Sequence, residues 1–225
     1  MAVSTLAGCG SGDDPSPEAR DTAAAVRARS LSEAELGQAV VTEADLDGYK
    51  VEKTLTATPA SRRAAEPAEC DPVVQALGGS SGHAAVARVG RMISLKKDSA
   101  TGASMVLSSH TGADAVGVLD ALRTAAEKCG TFKDVSVDFR YDEVEVLPDP
   151  DYGDEAVSLR LTQLAALSED EEPIRVPYAV LAVREGATVA MFYEFNRPGQ
   201  NGKADPAVVP EAIVEAQLEK LAAAG

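Results

Sequence analysis

The chain has 225 residues, 45% of them hydrophobic, which is enough for one domain with a real core and excludes a disordered class. Acidic residues outnumber basic ones 36 to 21, a formal charge of -15 that argues against phosphate backbones and anionic lipid surfaces as partners. Aromatic residues make up 4% and Trp is absent, so the core is expected to be mostly Ala, Val and Leu, and no stretch approaches the ~18 apolar residues of a spanning helix.

The first feature in chain order is Leu6-Ala7-Gly8-Cys9, followed by the polar run Gly10-Ser11-Gly12-Asp13-Asp14-Pro15-Ser16-Pro17. The tetrad resembles the lipobox of bacterial lipoproteins, an apolar residue and two small ones before a Cys that takes a lipid and becomes the new N-terminus. The resemblance implies lipidation at Cys9, with residues 1–9 as a signal remnant and an exported protein held on the outer face of a cell membrane. The apolar segment ahead of Cys9 is short and lacks a basic start, which fits a signal that begins upstream of Met1. Residues 10–30 then read as a flexible tether, with a coil of ~20 residues spanning about 25 Å on average. Residues 31–225 remain as a single domain.

Three Cys occur in all. If Cys9 carries lipid, Cys70 and Cys129 are left as one pair, which an exported domain can keep oxidised. Cys70 opens one predicted helix and Cys129 closes another, so the two meet if those helices pack antiparallel. The closed loop of about 60 residues is then worth roughly 4 kcal/mol. The alternative is two buried thiols that stay apart. No metal is expected, because the two His, His83 and His110, lack the spacing of structural zinc ligands.

Residues 31–41 carry a short helical face, and Thr42 to Asp45 reads as a capped turn. A strand at 49–55 follows Asp47-Gly48, then a loop over 56–69. The Cys70 helix has Pro72 in its first turn and stops at Gly78-Gly79. Residues 84–95 and 103–109 read as paired strands. The strongest helix is capped by Thr111, carries an apolar stripe from Ala115 to Cys129, and ends at Gly130. Residues 132–141 alternate as one strand, and Val144 and Val146 shift phase, predicting a bulge near Asp142-Glu143. A turn over 148–154, a strand around Val157 to Leu161 and an acidic loop over 168–173 come next. The strands 176–184 and 188–196 read as a hairpin through Glu185-Gly186 and are apolar on both faces, which places them centrally. A last helix is predicted to start at Asp205 with Pro206 in its first turn. This order predicts an α+β fold, a twisted and mostly antiparallel sheet of about six to eight strands packed against helices.

The turn Asp45-Leu46-Asp47-Gly48-Tyr49-Lys50-Val51, the Cys-led helix, the helix ending in Cys129, the hairpin Val183-Arg184-Glu185-Gly186-Ala187-Thr188-Val189 and the C-terminal helix together make a recognisable layout. It is similar to lipoproteins of high-GC Gram-positive bacteria and to the PknH-type extracellular sensor domain of bacterial Ser/Thr kinases, over roughly residues 31–221. The resemblance implies a twisted antiparallel sheet flanked by helices, with a cleft for an unidentified ligand. The chain departs from those kinase sensors in having one possible disulfide where two are common, and in lacking Trp.

Several segments invite a chemical reading. Gly78-Gly79-Ser80-Ser81-Gly82 matches the G-x-S-x-G string, but a nucleophile elbow needs a strand before it and a helix after it, and here the order is reversed. His83 and His110 are expected at the surface or as caps. Asp149, Asp151 and Asp154 read as an Asp-rich turn, since a calcium loop wants Gly where Asp154 stands. Lys203 after Gly202 lacks the rest of a phosphate loop. Phe139, Tyr141, Tyr178 and Tyr193, with Phe192 and Phe195, lie on the best strands and can line an apolar pocket. The expected function is a lipid-anchored, extracytoplasmic, non-catalytic binding domain for an unknown envelope ligand or protein. It needs no cofactor and contacts the membrane through its N-terminal lipid alone. The alternatives are a carrier holding a lipid or other apolar molecule in a sheet–helix cavity, and a hydrolase using Ser80 or Ser81.

Overall fold

The computed structural model describes residues 29–54, 63–98, 102–165, 172–199 and 203–224. Its helices are α1 (Glu33–Ala39), α2 (Asp71–Ala76), α3 (Gly112–Lys128) and α4 (Glu211–Ala223). Its strands are β1 (Tyr49–Thr54), β2 (Ala65–Glu66), β3 (Ala87–Leu95), β4 (Gly102–Ser109), β5 (Phe132–Asp134), β6 (Phe139–Leu147), β7 (Glu155–Ala165), β8 (Ile174–Glu185) and β9 (Thr188–Phe195). They form one nine-stranded sheet in the order β1-β3-β4-β9-β8-β7-β6-β5-β2, antiparallel at every step. This is the expected α+β fold, with nine strands against the six to eight anticipated.

The additional strands have clear local causes. β2 lies in the stretch read as a loop and pairs with β5. The run 132–141, read as one strand, folds back on itself so that Phe132 to Asp134 pairs with Phe139 to Tyr141. The turn is closed by the Ser136 N–H donating to Asp134 Oδ1 at 2.9 Å and by Asp138 taking a φ of 59°. Val135 and Val137 therefore face solvent. The predicted bulge is present, with the β6–β7 register shifting between Asp142 and Glu145 and Glu143 at a φ of 54°.

β8 and β9 occupy the middle of the sheet and are joined by the predicted tight turn, with Gly186 at a φ of 58°. Their alternating side chains feed two cores. Val180, Ala182, Val189 and Met191 face α2 and α3 together with Leu159, Leu161, Leu119 and Leu122. Leu181, Val183, Ala190 and Phe192 face the other way, toward Leu36 of α1 and Ile213 and Val214 of α4. Both faces of the sheet thus bury apolar surface, which is why these strands read as unbroken apolar runs.

Two helix starts carry a side-chain cap. Ser32 caps α1 in a full capping box with Glu35, and Thr111 caps α3 as predicted, accepting from the Asp114 N–H at 3.2 Å. The start of α4 is corrected. Residues 205–210 are not helical, and the helix begins at Glu211 after an extended Pro210. Proline at 210 forces the preceding residue out of the helical region. This segment is instead tied to the sheet: Asn196 Nδ2 donates to the Asp205 and Pro206 carbonyls, and the Val208 N–H donates to Glu194. Cys70 and Cys129 form a disulfide with Cα atoms 5.7 Å apart, joining the start of α2 to the end of α3.

Candidate functional site

The α3 side of the sheet is covered by helices only in part. Alternate residues of a strand share a face, and the pairings Tyr141 with Gln163, Gln163 with Val176, and Tyr178 with Phe195 put all these side chains on the α3 side. Here the sheet floor opens as a groove of about 570 Å³ lined by residues including Gln163, Ile174, Val176, Tyr178, Phe195 and Arg197. Ile174 is 41% exposed and Phe195 37%, so their apolar surfaces meet solvent.

An aromatic ladder runs into this groove across the sheet. Phe132 stacks on Tyr141 with centroids 4.9 Å apart, Tyr141 meets Tyr178 edge-on at 5.9 Å, and Tyr178 stacks on Phe195 at 5.2 Å. The Arg197 guanidinium lies 5.7 Å from the Phe195 centroid. The Tyr178 hydroxyl donates to Gln163 Oε1 at 3.2 Å. Burial pushes the Tyr141 phenol up to about 12, with Tyr178 adding to the effect, and burial also raises Tyr178. Both phenols therefore stay protonated at neutral pH, as hydrogen-bond donors rather than nucleophiles.

Of the six aromatic residues named from sequence, Tyr141, Tyr178 and Phe195 come together in the ladder, and Tyr178 and Phe195 line the groove. Tyr193 lies one strand pair further in, paired with Val180, and packs against the α2–α3 core. Phe139, 43% exposed, shares the face of Tyr141 without lining the groove. Phe192 is buried in the opposite core. Sequence reasoning missed Gln163, Ile174 and Arg197, whose role depends on where the helix cover ends.

The remaining candidates resolve individually. The Ser80 hydroxyl donates to the Gln75 carbonyl at 3.1 Å and Ser81 to the His83 carbonyl at 3.4 Å, after helix α2 rather than after a strand. His83 Nδ1 stands 3.4 Å from Asp114, and a Cβ on Gly117 would come within 2.4 Å of the ring, so the imidazole lies flat on α3. His110, expected near the surface, is fully buried, with Nδ1 3.0 Å from the Ala84 carbonyl, Nε2 2.9 Å from Ser108 Oγ, and burial lowering its pKa. Its own carbonyl accepts from Ser30 Oγ at 2.5 Å, which draws the entering chain over it. Asp149 accepts from Arg123 and Asp154 from Arg184 and the Gly186 N–H, so two of the three turn carboxylates serve as local ties. No metal-holding group occurs among the described residues, and no helix among them is long and apolar enough to cross a membrane. Cys9, residues 10–28 of the tether, residues 168–171 of the acidic loop and Gly202 lie outside the described residues.

No family model matches the chain, and no curated protein matches it. Among solved structures, the chain is similar to the extracellular domain of PknH from Mycobacterium tuberculosis. The TM-score is 0.54 at 11% identity, covering 88% of this chain and 98% of that one. An uncharacterized Mycobacterium smegmatis protein, an Rv0999 ortholog, aligns with a TM-score of 0.33 at 14% identity, over 87% of this chain and 95% of that one. The first likeness establishes a shared fold with an extracellular domain.

Proposed function

We propose that the chain is a lipid-anchored, extracytoplasmic binding domain of the sensor type. Its groove receives an envelope ligand or a segment of an envelope protein. The observation that carries this reading is the groove itself, an aromatic and aliphatic floor left uncovered by the helices, with Arg197 at its rim. Such a surface suits a ligand that presents an apolar group to Tyr178 and Phe195 and an anion to Arg197. The Cys70–Cys129 disulfide supports an oxidising compartment, and the fold shared with an extracellular domain agrees with it. The Leu6 to Cys9 tetrad supports the anchor. The groove is open to solvent, which favours recognition over carriage of an enclosed lipid.

Because the chain has no Trp, its tyrosine emission can be followed directly. Titration with decanoate, an alkyl chain bearing a carboxylate, is expected to change that emission and raise the melting temperature, and Phe195→Ala and Arg197→Glu each weaken both responses. Identical titrations for the variants and the parent protein would refute the groove as the site. Intact-mass analysis of the membrane-extracted protein tests the anchor, and a mature chain recovered unmodified at Cys9 would overturn that part.

A further inference from the structure

A second cavity, of about 270 Å³, lies between α2 and α3, away from the groove. Its polar wall consists of Asp71, Gln75, Ser80, Ser81 and His83, and its apolar floor includes Val118, Leu122 and Met191. Asp71 and Gln75 are one helical turn apart and share a face of α2. Gln75 Nε2 donates to the Arg63 carbonyl at 3.5 Å, which fixes the amide so that Oε1 is the other end. That Oε1 is buried and has no hydrogen-bond partner among the described residues. A buried acceptor without a donor costs free energy comparable to a lost hydrogen bond, so this atom is placed to receive one.

Further acceptors line the same wall. The Ser80 and Ser81 hydroxyls are committed as donors to carbonyls, leaving oxygen lone pairs. One Asp71 oxygen accepts from the Ala65 N–H, and both carboxylate oxygens are acceptors. His83 Nδ1 faces Asp114 at 3.4 Å, which fixes the ring beside the cavity. A Cβ on Gly82 would stand 3.6 Å from Gln75 Oε1, at ordinary contact distance, so a larger side chain there would reach into the cavity. The volume corresponds to roughly nine water volumes, room for a molecule of about ten non-hydrogen atoms.

We propose that this cavity binds a small primary amine in its ammonium form, the N–H donors directed at Gln75 Oε1 and Asp71 and the hydrocarbon resting on Val118, Leu122 and Met191. The orphaned Gln75 Oε1 selects a donor, the Asp71 carboxylate selects a cation, and the floor selects a hydrocarbon body.

The probes are 2-phenylethylamine, 2-phenylethanol and 3-phenylpropionate, which share a ring and differ in the polar end. Titrated into the full chain at neutral pH, the amine is expected to shift the amide resonances of Gly82 and His83, the alcohol to bind at least tenfold more weakly, and the carboxylate not to bind. Gln75→Met, similar in length but without the acceptor, weakens the amine at least tenfold, and Gly82→Val obstructs it. Phe195→Ala leaves amine binding unchanged, so failure here is separable from failure of the groove. The proposal is overturned if the amine fails to bind, if alcohol or carboxylate binds as tightly, or if the shifts cluster around Tyr178. The three-probe comparison on the parent protein decides the matter even where a variant does not fold.

Discussion

Two polar side chains far from the groove stabilise the amino-terminal part of the domain by satisfying backbone groups. Gln217 of α4 is fully buried, its Oε1 accepting from the Val41 N–H at 3.0 Å and its Nε2 donating to the Ala39 carbonyl at 2.8 Å. It therefore supplies the bonds that α1 lacks at its C-terminal end. Gln217→Leu keeps the volume but strands a buried donor and a buried acceptor, and is expected to cost about 2–4 kcal/mol in a urea titration. A cost below measurement error would mean that this amide does not hold α1 to α4. Glu35 acts at the other end of α1. The Ser32 N–H, the Ser32 hydroxyl and Arg29 hold its carboxyl at about 2, down from 4.5. A carboxylate whose pKa falls on folding adds stability above its unfolded value near 4.5 and loses it as pH falls toward 2. Glu35→Gln should lower the melting temperature at pH 7, with the gap to the parent protein closing by pH 2; a gap independent of pH would contradict the capping role. His110 acts in the same direction over a different range. Burial lowers its pKa, so the unfolded chain takes up a proton near 6.5 that the folded chain refuses, and stability falls as pH drops below that value. An NMR titration should place the His110 midpoint below the ordinary imidazole value of 6.5; a midpoint at 6.5 would mean the site is solvated.

At the scale of elements, the disulfide joins the first residue ahead of α2 to the residue that ends α3, across a sequence separation of 59. By loop entropy it is worth about 4 kcal/mol, so Cys70→Ser with Cys129→Ser should lower the urea midpoint accordingly while leaving α1 and α4 folded. An unchanged midpoint would mean the unfolded chain is already compact there. This pair was legible because Cys70 begins one apolar helix and Cys129 completes the stripe of another. The β8–β9 hairpin was legible for a similar reason, with a Gly turn between runs apolar on both faces. Other elements were not. Val135, Val137, Phe139 and Tyr141 keep a period of two whether the strand continues or doubles back, and only the Asp134–Ser136 turn bond decides. Asp205-Pro206 carries a helix-start signal, yet Pro210 and the ties to Asn196 and Glu194 override it. The groove was half legible. Tyr141 and Tyr178 stand out as aromatic residues on strong strands, but Ile174 and Arg197 gain meaning only from the point at which helices stop covering the sheet, which is a tertiary property.

The whole molecule depends on β8 and β9 belonging to two cores at once. Val180 and Met191 pack toward α3 while Leu181 and Phe192 pack toward α1 and α4, so neither helical layer can leave without exposing one face of the same two strands. A sheet shared in this way couples the layers, and unfolding is expected to be a single transition. The tyrosines allow a check on both sides, since Tyr141, Tyr178 and Tyr193 associate with the α3 core and Tyr49 and Tyr152 with the opposite one. Phe192 is completely buried in the α1–α4 core, and Phe192→Ala is expected to destabilise the protein by about 3–5 kcal/mol. If the layers are coupled, that loss appears equally in tyrosine emission and in far-ultraviolet dichroism, although most of the strong strand tyrosines lie on the far face. If emission from the α3 side keeps its original midpoint while the dichroism shifts, the two cores unfold independently and the shared-strand coupling is wrong.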